Sequence, residues 1–115
     1  MIILKDLIKE LDLEILSEGS DLNRTVATGC CCDLLSWVMA NGRKDAIWVT
    51  VQAHVNVIAV ASLLELAGVI ITSGLPVEEK TIERARSEGV TLLSSRMDAF
   101  QLAGKLYNMG IGKES

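Results

Sequence analysis

Proline occurs once in the 115 residues and histidine once, and the aromatic side chains are two tryptophans, one tyrosine and one phenylalanine. With only nine glycines beside that one proline, a collagen-like chain and a proline-rich linker are excluded. Positive charge is also scarce: 11 Lys and Arg against 15 Asp and Glu leave a net charge of −4. That balance disfavours a nucleic-acid binder relying on bulk cationic charge. Cysteine numbers three, all adjacent as Cys30-Cys31-Cys32, and an odd, adjacent set is not a disulfide framework. On a strand Cys31 faces away from Cys30 and Cys32, so the three cannot close on one metal. Their plain reading is small, buried, apolar side chains; the alternative is a reactive thiol at Cys32, beside a helix start. The lone histidine, His54, has no carboxylate or cysteine near it at ligand spacing, so no metal site is expected.

Other absences narrow the function. There is no G-x-x-x-x-G-K-[ST] loop, no G-x-G-x-x-G after a strand, no G-x-S-x-G elbow and no C-x-x-C pair. The apolar opening Met1-Ile2-Ile3-Leu4 is interrupted at once by Lys5, Asp6, Lys9 and Glu10, so no export signal is read. Free thiols without an export signal suggest the cytoplasm. The longest uncharged run, between Asp45 and Glu65, approaches the length of a membrane span. It contains Thr50, Gln52, His54, Asn56 and Ser62, however, and its period changes from strand to helix, so it is read as a buried strand-loop-helix with no membrane contact.

What is present is a hydrophobic half (50%) with 23% charged residues, the composition of one soluble domain over residues 1–115. Leu4, Leu7, Ile8 and Leu11 predict a helix over residues 4–11. Strands are predicted at 14–17 and 24–31, with turn residues at Gly19-Ser20-Asp21. Asp33 can cap or begin a helix carrying Leu34, Leu35, Val38 and Met39, which Asn41-Gly42 ends. Then follow a buried strand at 46–51, an almost wholly apolar helix at 54–67 stopped by Gly68, and a buried strand at 69–72. Pro76 suits the first turn of a helix over 77–88. A strand at 91–94 leads to Ser95 and Asp98, spaced as a capping box with Asp in place of Glu, and to a helix over 98–109. Residues 112–115 are expected to fray. Strands without polar alternation, separated by helices, imply an α/β fold: a mainly parallel sheet with helices on both faces.

In such sheets ligands bind beyond the carboxyl ends of the strands. Standing there are Cys32 and Asp33, then Gln52, His54 and Asn56, then Thr72, Ser73 and Gly74, then Ser94 and Ser95. Helix N-termini opening at the same edge suit an anion. Each residue has a plainer role. Asp33, Ser73 and Ser95 can simply cap helices, Gln52 and Asn56 can satisfy buried backbone groups, and His54 can be a structural hydrogen-bonder.

The stretch Ile70-Ile71-Thr72-Ser73-Gly74-Leu75-Pro76, the charged helix after it, then Gly89-Val90-Thr91-Leu92-Leu93-Ser94 and Asp98-Ala99-Phe100 resemble the DRTGG domain. The segments Asp33-Leu34-Leu35-Ser36-Trp37-Val38-Met39-Ala40-Asn41 and Val49-Thr50-Val51-Gln52-Ala53-His54-Val55-Asn56 resemble a small stand-alone branch of that family. The resemblance implies a fold like the N-terminal domain of HPr kinase/phosphorylase. It also implies a regulatory or dimerising role, and an association with redox regulation and iron-only hydrogenases. The sequence departs from the pattern at two places. Ser73 replaces a glycine, and Gln52-Ala53-His54 fills the loop where an Asp-Arg pair is usual.

Three functions compete on this reading. The first is a non-catalytic regulatory module binding a small nucleotide or anionic ligand through Gln52, His54, Asn56, Thr72, Ser73 and Gly74, flanked by Asp33 and Ser95. The second is a ligand-free homodimer or protein-interaction module in redox or hydrogenase systems, motivated by the apolar helix at 54–67. Trp37 and Trp48, read first as core, are its alternative contact anchors. The third is an enzyme using His54 as acid/base or Cys32 as nucleophile, which lacks a visible orienting partner. No cofactor can be named.

Overall fold

The computed structural model describes residues 1–113, so the last two residues of the segment expected to fray lie outside the described residues. Two runs of consecutive buried residues, β5 (Ala46–Thr50) and β6 (Gly68–Ile71), form the middle of a five-stranded sheet. Continuous burial is what strands covered on both faces require, and it explains why neither alternates in polarity. β4 (Thr28–Cys31) lies parallel on one side of β5, and β7 (Leu92–Ser94) lies parallel on the far side of β6. β2 (Glu14–Ser17) closes the other end antiparallel to β7, giving the order β2-β7-β6-β5-β4.

Alternate side chains of these strands feed two cores. Trp48, Val69, Ile71 and Leu92 face α2 (Leu35–Asn41), α3 (Val55–Leu63) and α4 (Glu79–Glu88). Ile47, Val49, Ile70 and Leu93 face α1 (Leu4–Glu10) and α5 (Ala99–Asn108). The sheet is thus covered on both faces, as the strand-helix alternation implies. Each fully buried Leu, Ile or Val contributes roughly 1.5–3 kcal/mol. Trp48 is also wholly buried, and its indole N–H donates to the Cys32 carbonyl (2.8 Å), so its one polar atom is satisfied.

Several boundaries differ from the sequence reading. The strand expected over 24–31 is broken at Ala27. Its first part, β3 (Thr25–Val26), pairs antiparallel with β1 (Ile2–Ile3), and its second part joins the main sheet as β4. The chain changes sheets there, with the Ala27 amide donating to the Asp45 carbonyl. The apolar helix is shorter than 54–67, because Glu65 turns left-handed (φ 55°) and Leu66 and Ala67 lead into β6. Most of its apolar character is spent inside the fold: Val57, Ile58, Val60 and Ala61 are buried, while Leu63 stays exposed. Pro76 lies outside α4, which begins at Glu79. Trp37, first read as core, is half exposed (50%), because α2 turns only Val38 fully inward. The cysteines are not a buried set either. β4 is an edge strand, which leaves Cys31 exposed and Cys30 and Cys32 part-buried. Among the described residues no helix is long and apolar enough to cross a membrane.

Candidate functional site

Because β4 to β7 are parallel, their carboxyl ends share one edge, and the loops leaving them, with the first turn of α3, carry every candidate residue. The loops fall into three hydrogen-bonded groups. In the first, the Asp33 carboxylate does not cap α2. One of its oxygens accepts from the Thr50 hydroxyl (2.8 Å) and the Val51 amide (2.9 Å), clasping the end of β4 to the end of β5. The Gln52 side-chain amide donates to the Asp33 carbonyl (3.1 Å), so Gln52 satisfies backbone.

In the second group His54 is the N-cap of α3. Its Nδ1 accepts from the Asn56 amide (3.2 Å), which places the ring proton on Nε2. Asn56 takes part through its backbone, and both residues are exposed.

In the third group the loops after β6 and β7 are tied together. The Ser73 amide donates to the Met97 carbonyl (2.8 Å) and the Gly74 amide to the Ser95 carbonyl (2.9 Å). Ser73 and Gly74 are consecutive left-handed residues (φ 64° and 62°), a conformation that a glycine adopts freely and a serine does not. Ser95 accepts on its hydroxyl from the Met97 amide (3.1 Å), a local turn, while Asp98 itself caps α5 by accepting from Gln101 (2.8 Å). The expected capping box is therefore replaced by two separate motifs. Thr72, fully buried, holds a hydroxyl with no hydrogen-bond partner among the described residues.

The helix N-termini offer an anion less than the sequence suggested. α3 and α5 are capped by His54 and Asp98, α4 opens on Glu78 and Glu79, and the Leu34 amide ahead of α2 donates to the Cys32 sulfur (3.5 Å). The cation at this edge is one that sequence reasoning missed. Arg96, exposed in the loop after β7, makes no ion pair among the described residues. It lines two open clefts. One, of about 620 Å³, is shared with Asp12, Glu14, Ser94, Ser95 and Met97. The other, of about 260 Å³, is shared with Glu14, Gly74, Leu75, Pro76 and Ile82. The available signal was its position, a lone basic residue two places beyond the end of a parallel strand. Gly74 and Ser95 thus border these clefts, and Arg96 joins them. The chain leaves β6 toward one face of the sheet and β7 toward the other, the arrangement that opens a crevice between neighbouring strands.

The thiols lie on the far side of this edge. Burial pushes the Cys30 thiol above the ordinary range, with the charges of Cys32 and Cys31 adding to it. Burial does the same to Cys31, helped by the Asp33 carboxylate and Cys32. Neither is an activated nucleophile. Among the described residues no group of three His, Cys, Asp or Glu could hold a metal ion.

Comparison with known proteins comes from two sides. The family model for the DRTGG domain matches residues 6–109. The crystal structure of the CBS and DRTGG domains of the regulatory region of Clostridium perfringens pyrophosphatase, complexed with its activator diadenosine tetraphosphate, superposes with a TM-score of 0.73. Sequence identity is 14%, and the match covers 89% of this chain and 44% of that one, so this chain spans less than half of that structure. No curated protein sequence matches.

Proposed function

The chain belongs to the DRTGG domain family, and from that premise we propose that it is a non-catalytic regulatory module that senses a small anionic ligand, a nucleotide foremost, at the carboxyl edge of its sheet. The observation that carries this reading is Arg96, an exposed cation without an ion-pair partner among the described residues, set between two clefts where the chain leaves β6 and β7 toward opposite faces. An always-charged guanidinium suits phosphate, and here it takes the part expected of the Asp-Arg pair that Gln52-Ala53-His54 replaces. The regulatory region from Clostridium perfringens, which shares this fold and is complexed with diadenosine tetraphosphate, supports the choice of ligand class. In this reading Gly74 and Ser95 border the ligand. Gln52, Asn56, Thr72 and Ser73 shape the loops behind it, Asp33 holds the neighbouring strand ends, and His54 caps the helix that follows. A catalytic role has little support, since the Nδ1 atom of His54 is engaged in a cap and the Cys32 sulfur accepts from the Leu34 amide with no base beside it.

The test is calorimetric titration with diadenosine tetraphosphate, ATP and inorganic phosphate. Saturable binding that weakens about tenfold or more in Arg96→Ala is expected. Absence of binding to all three, or equal affinity in Arg96→Ala, overturns the reading. We further propose a homodimer working in the cytoplasm, with a protein partner in the redox or hydrogenase systems to which the family resemblance points. The half-exposed Trp37 and the exposed Leu34 and Met39 on and beside α2 favour such contacts, and co-purification from the native host tests them.

A further inference from the structure

The two edges of the sheet are not alike. β2 carries the exposed Glu14, is followed by the exposed Glu18, and has a register irregularity between Ile15 and Ser17. Charge and irregularity are the devices that keep an edge from pairing. β4, with the sequence Thr28-Gly29-Cys30-Cys31, has no charge, no proline and an unbroken register with β5. Its inward hydrogen bonding is marked by the Cys32 amide, which donates to the Val49 carbonyl (3.2 Å). By alternation along the strand, the peptide groups of Gly29 and Cys31 turn outward, and both residues are exposed. Grooves run along both flanks of β4. One, of about 400 Å³, has Trp37 and Arg43 in its wall, and the other, of about 180 Å³, has Tyr107 and Ile111.

We infer that β4 pairs antiparallel with β4 of a second copy of this chain, about a two-fold axis at Cys30. The inference rests on the homodimer proposed above and gives it a surface. The register follows from the outward peptide groups. Centring the axis on Cys30 sets Gly29 opposite the partner's Cys31, and the reverse, so the outward N–H and C=O groups of both residues are paired at once. Charge favours the same direction. Arg43 lines the groove at the amino end of β4, beside Lys44, and Asp33 follows its carboxyl end. An antiparallel partner brings the cationic end of one copy against the anionic end of the other, whereas a parallel one would set like against like. The arrangement makes one continuous sheet through both copies, and Trp37 of each copy flanks the junction.

On the axis the two Cys30 residues form a non-hydrogen-bonded pair, whose Cα separation of about 4.5 Å lies within disulfide reach. The native thiols therefore report the register. The full chain is treated with diamide, which takes up the two protons and two electrons released as one S–S bond forms between copies. Wild type, Cys31→Ala and Cys32→Ala are expected to cross-link, and Cys30→Ala is not. In parallel, native mass spectrometry under reducing conditions follows Cys31→Pro and Cys30→Lys. Cys31→Pro deletes an outward N–H that an edge strand can spare, and Cys30→Lys sets two like charges on the axis. Each is expected to weaken dimerisation about tenfold or more, with circular dichroism confirming that the fold is kept. A dimer that persists in both variants, or cross-links through Cys31, overturns the pairing and leaves the homodimer standing. A wild-type monomer at the highest soluble concentration overturns both. Neither result touches ligand binding at Arg96, which calorimetry reads separately.

Discussion

Asp33, in the loop after β4, accepts a hydrogen bond from the hydroxyl of Thr50, the last residue of β5, at 2.8 Å. The same oxygen takes the Val51 amide. Thr50 is buried, so removing the carboxylate leaves a desolvated hydroxyl without its acceptor. Asp33→Ala is expected to lower stability by about 1–3 kcal/mol, read from urea unfolding. Asp33→Asn, which keeps one carbonyl oxygen, is expected to lose less.

His54 sits where Ser, Thr, Asp or Asn is commonest, at the N-cap of a helix. Since its Nδ1 accepts the Asn56 amide, His54→Ala is expected to cost about 1 kcal/mol and His54→Asn to recover most of it. Thermal unfolding of the two variants measures the difference. Recovery by Asn shows that capping accounts for the residue's contribution to stability.

Ser73 occupies a left-handed backbone position next to Gly74. For an L-residue that conformation costs roughly 1–2 kcal/mol, part of which glycine gives back through its freer unfolded chain. Ser73→Gly, which restores the family's glycine, is expected to raise stability by up to about 1 kcal/mol in a denaturant midpoint measurement.

For Cys30 and Cys31 burial raises the folded-state pKa above that of the unfolded chain. Their contribution to stability is therefore full below the unfolded value and lost as pH rises through the folded one. An alkaline decline in the urea midpoint that shrinks in the Cys30→Ala Cys31→Ala double variant is the expected result. Iodoacetamide should correspondingly modify Cys31 more slowly at neutral pH than it modifies a free cysteine, despite the exposure of this residue.

Much of this fold was legible, and the parts that were not share a cause. The continuous apolar runs of β5 and β6 and the charged stripe of α4 announce a covered parallel sheet, because burial on both faces leaves no room for alternation. The break at Ala27 was hidden: Thr25 and Thr28 have the same local propensity, and only the partner strand differs. The exposure of Cys31 and Trp37 is hidden for a related reason. Whether a strand is central or at an edge, and which way a short helix is rolled, depend on tertiary neighbours. At the candidate site the placement of these residues at the carboxyl edge was legible, but not their hydrogen-bond partners. Asp33 has every property of a cap and instead serves Thr50 and Val51. Arg96 escaped notice because a single surface arginine carries no periodic signal.

The pairing of β2 with β7 joins Glu14 to Ser94, one strand from near the start of the chain and one from near its end. During synthesis β4, α2, β5, α3 and β6 can assemble in the order in which they emerge, each strand against the one before it. β2 has to wait for nearly the whole chain, and closing so long a loop adds entropy that the local units never meet. The first strand of the sheet to be made is thus the last to find its place, and its amide hydrogens are expected to exchange sooner than those of β5 and β6 in a native-state exchange experiment.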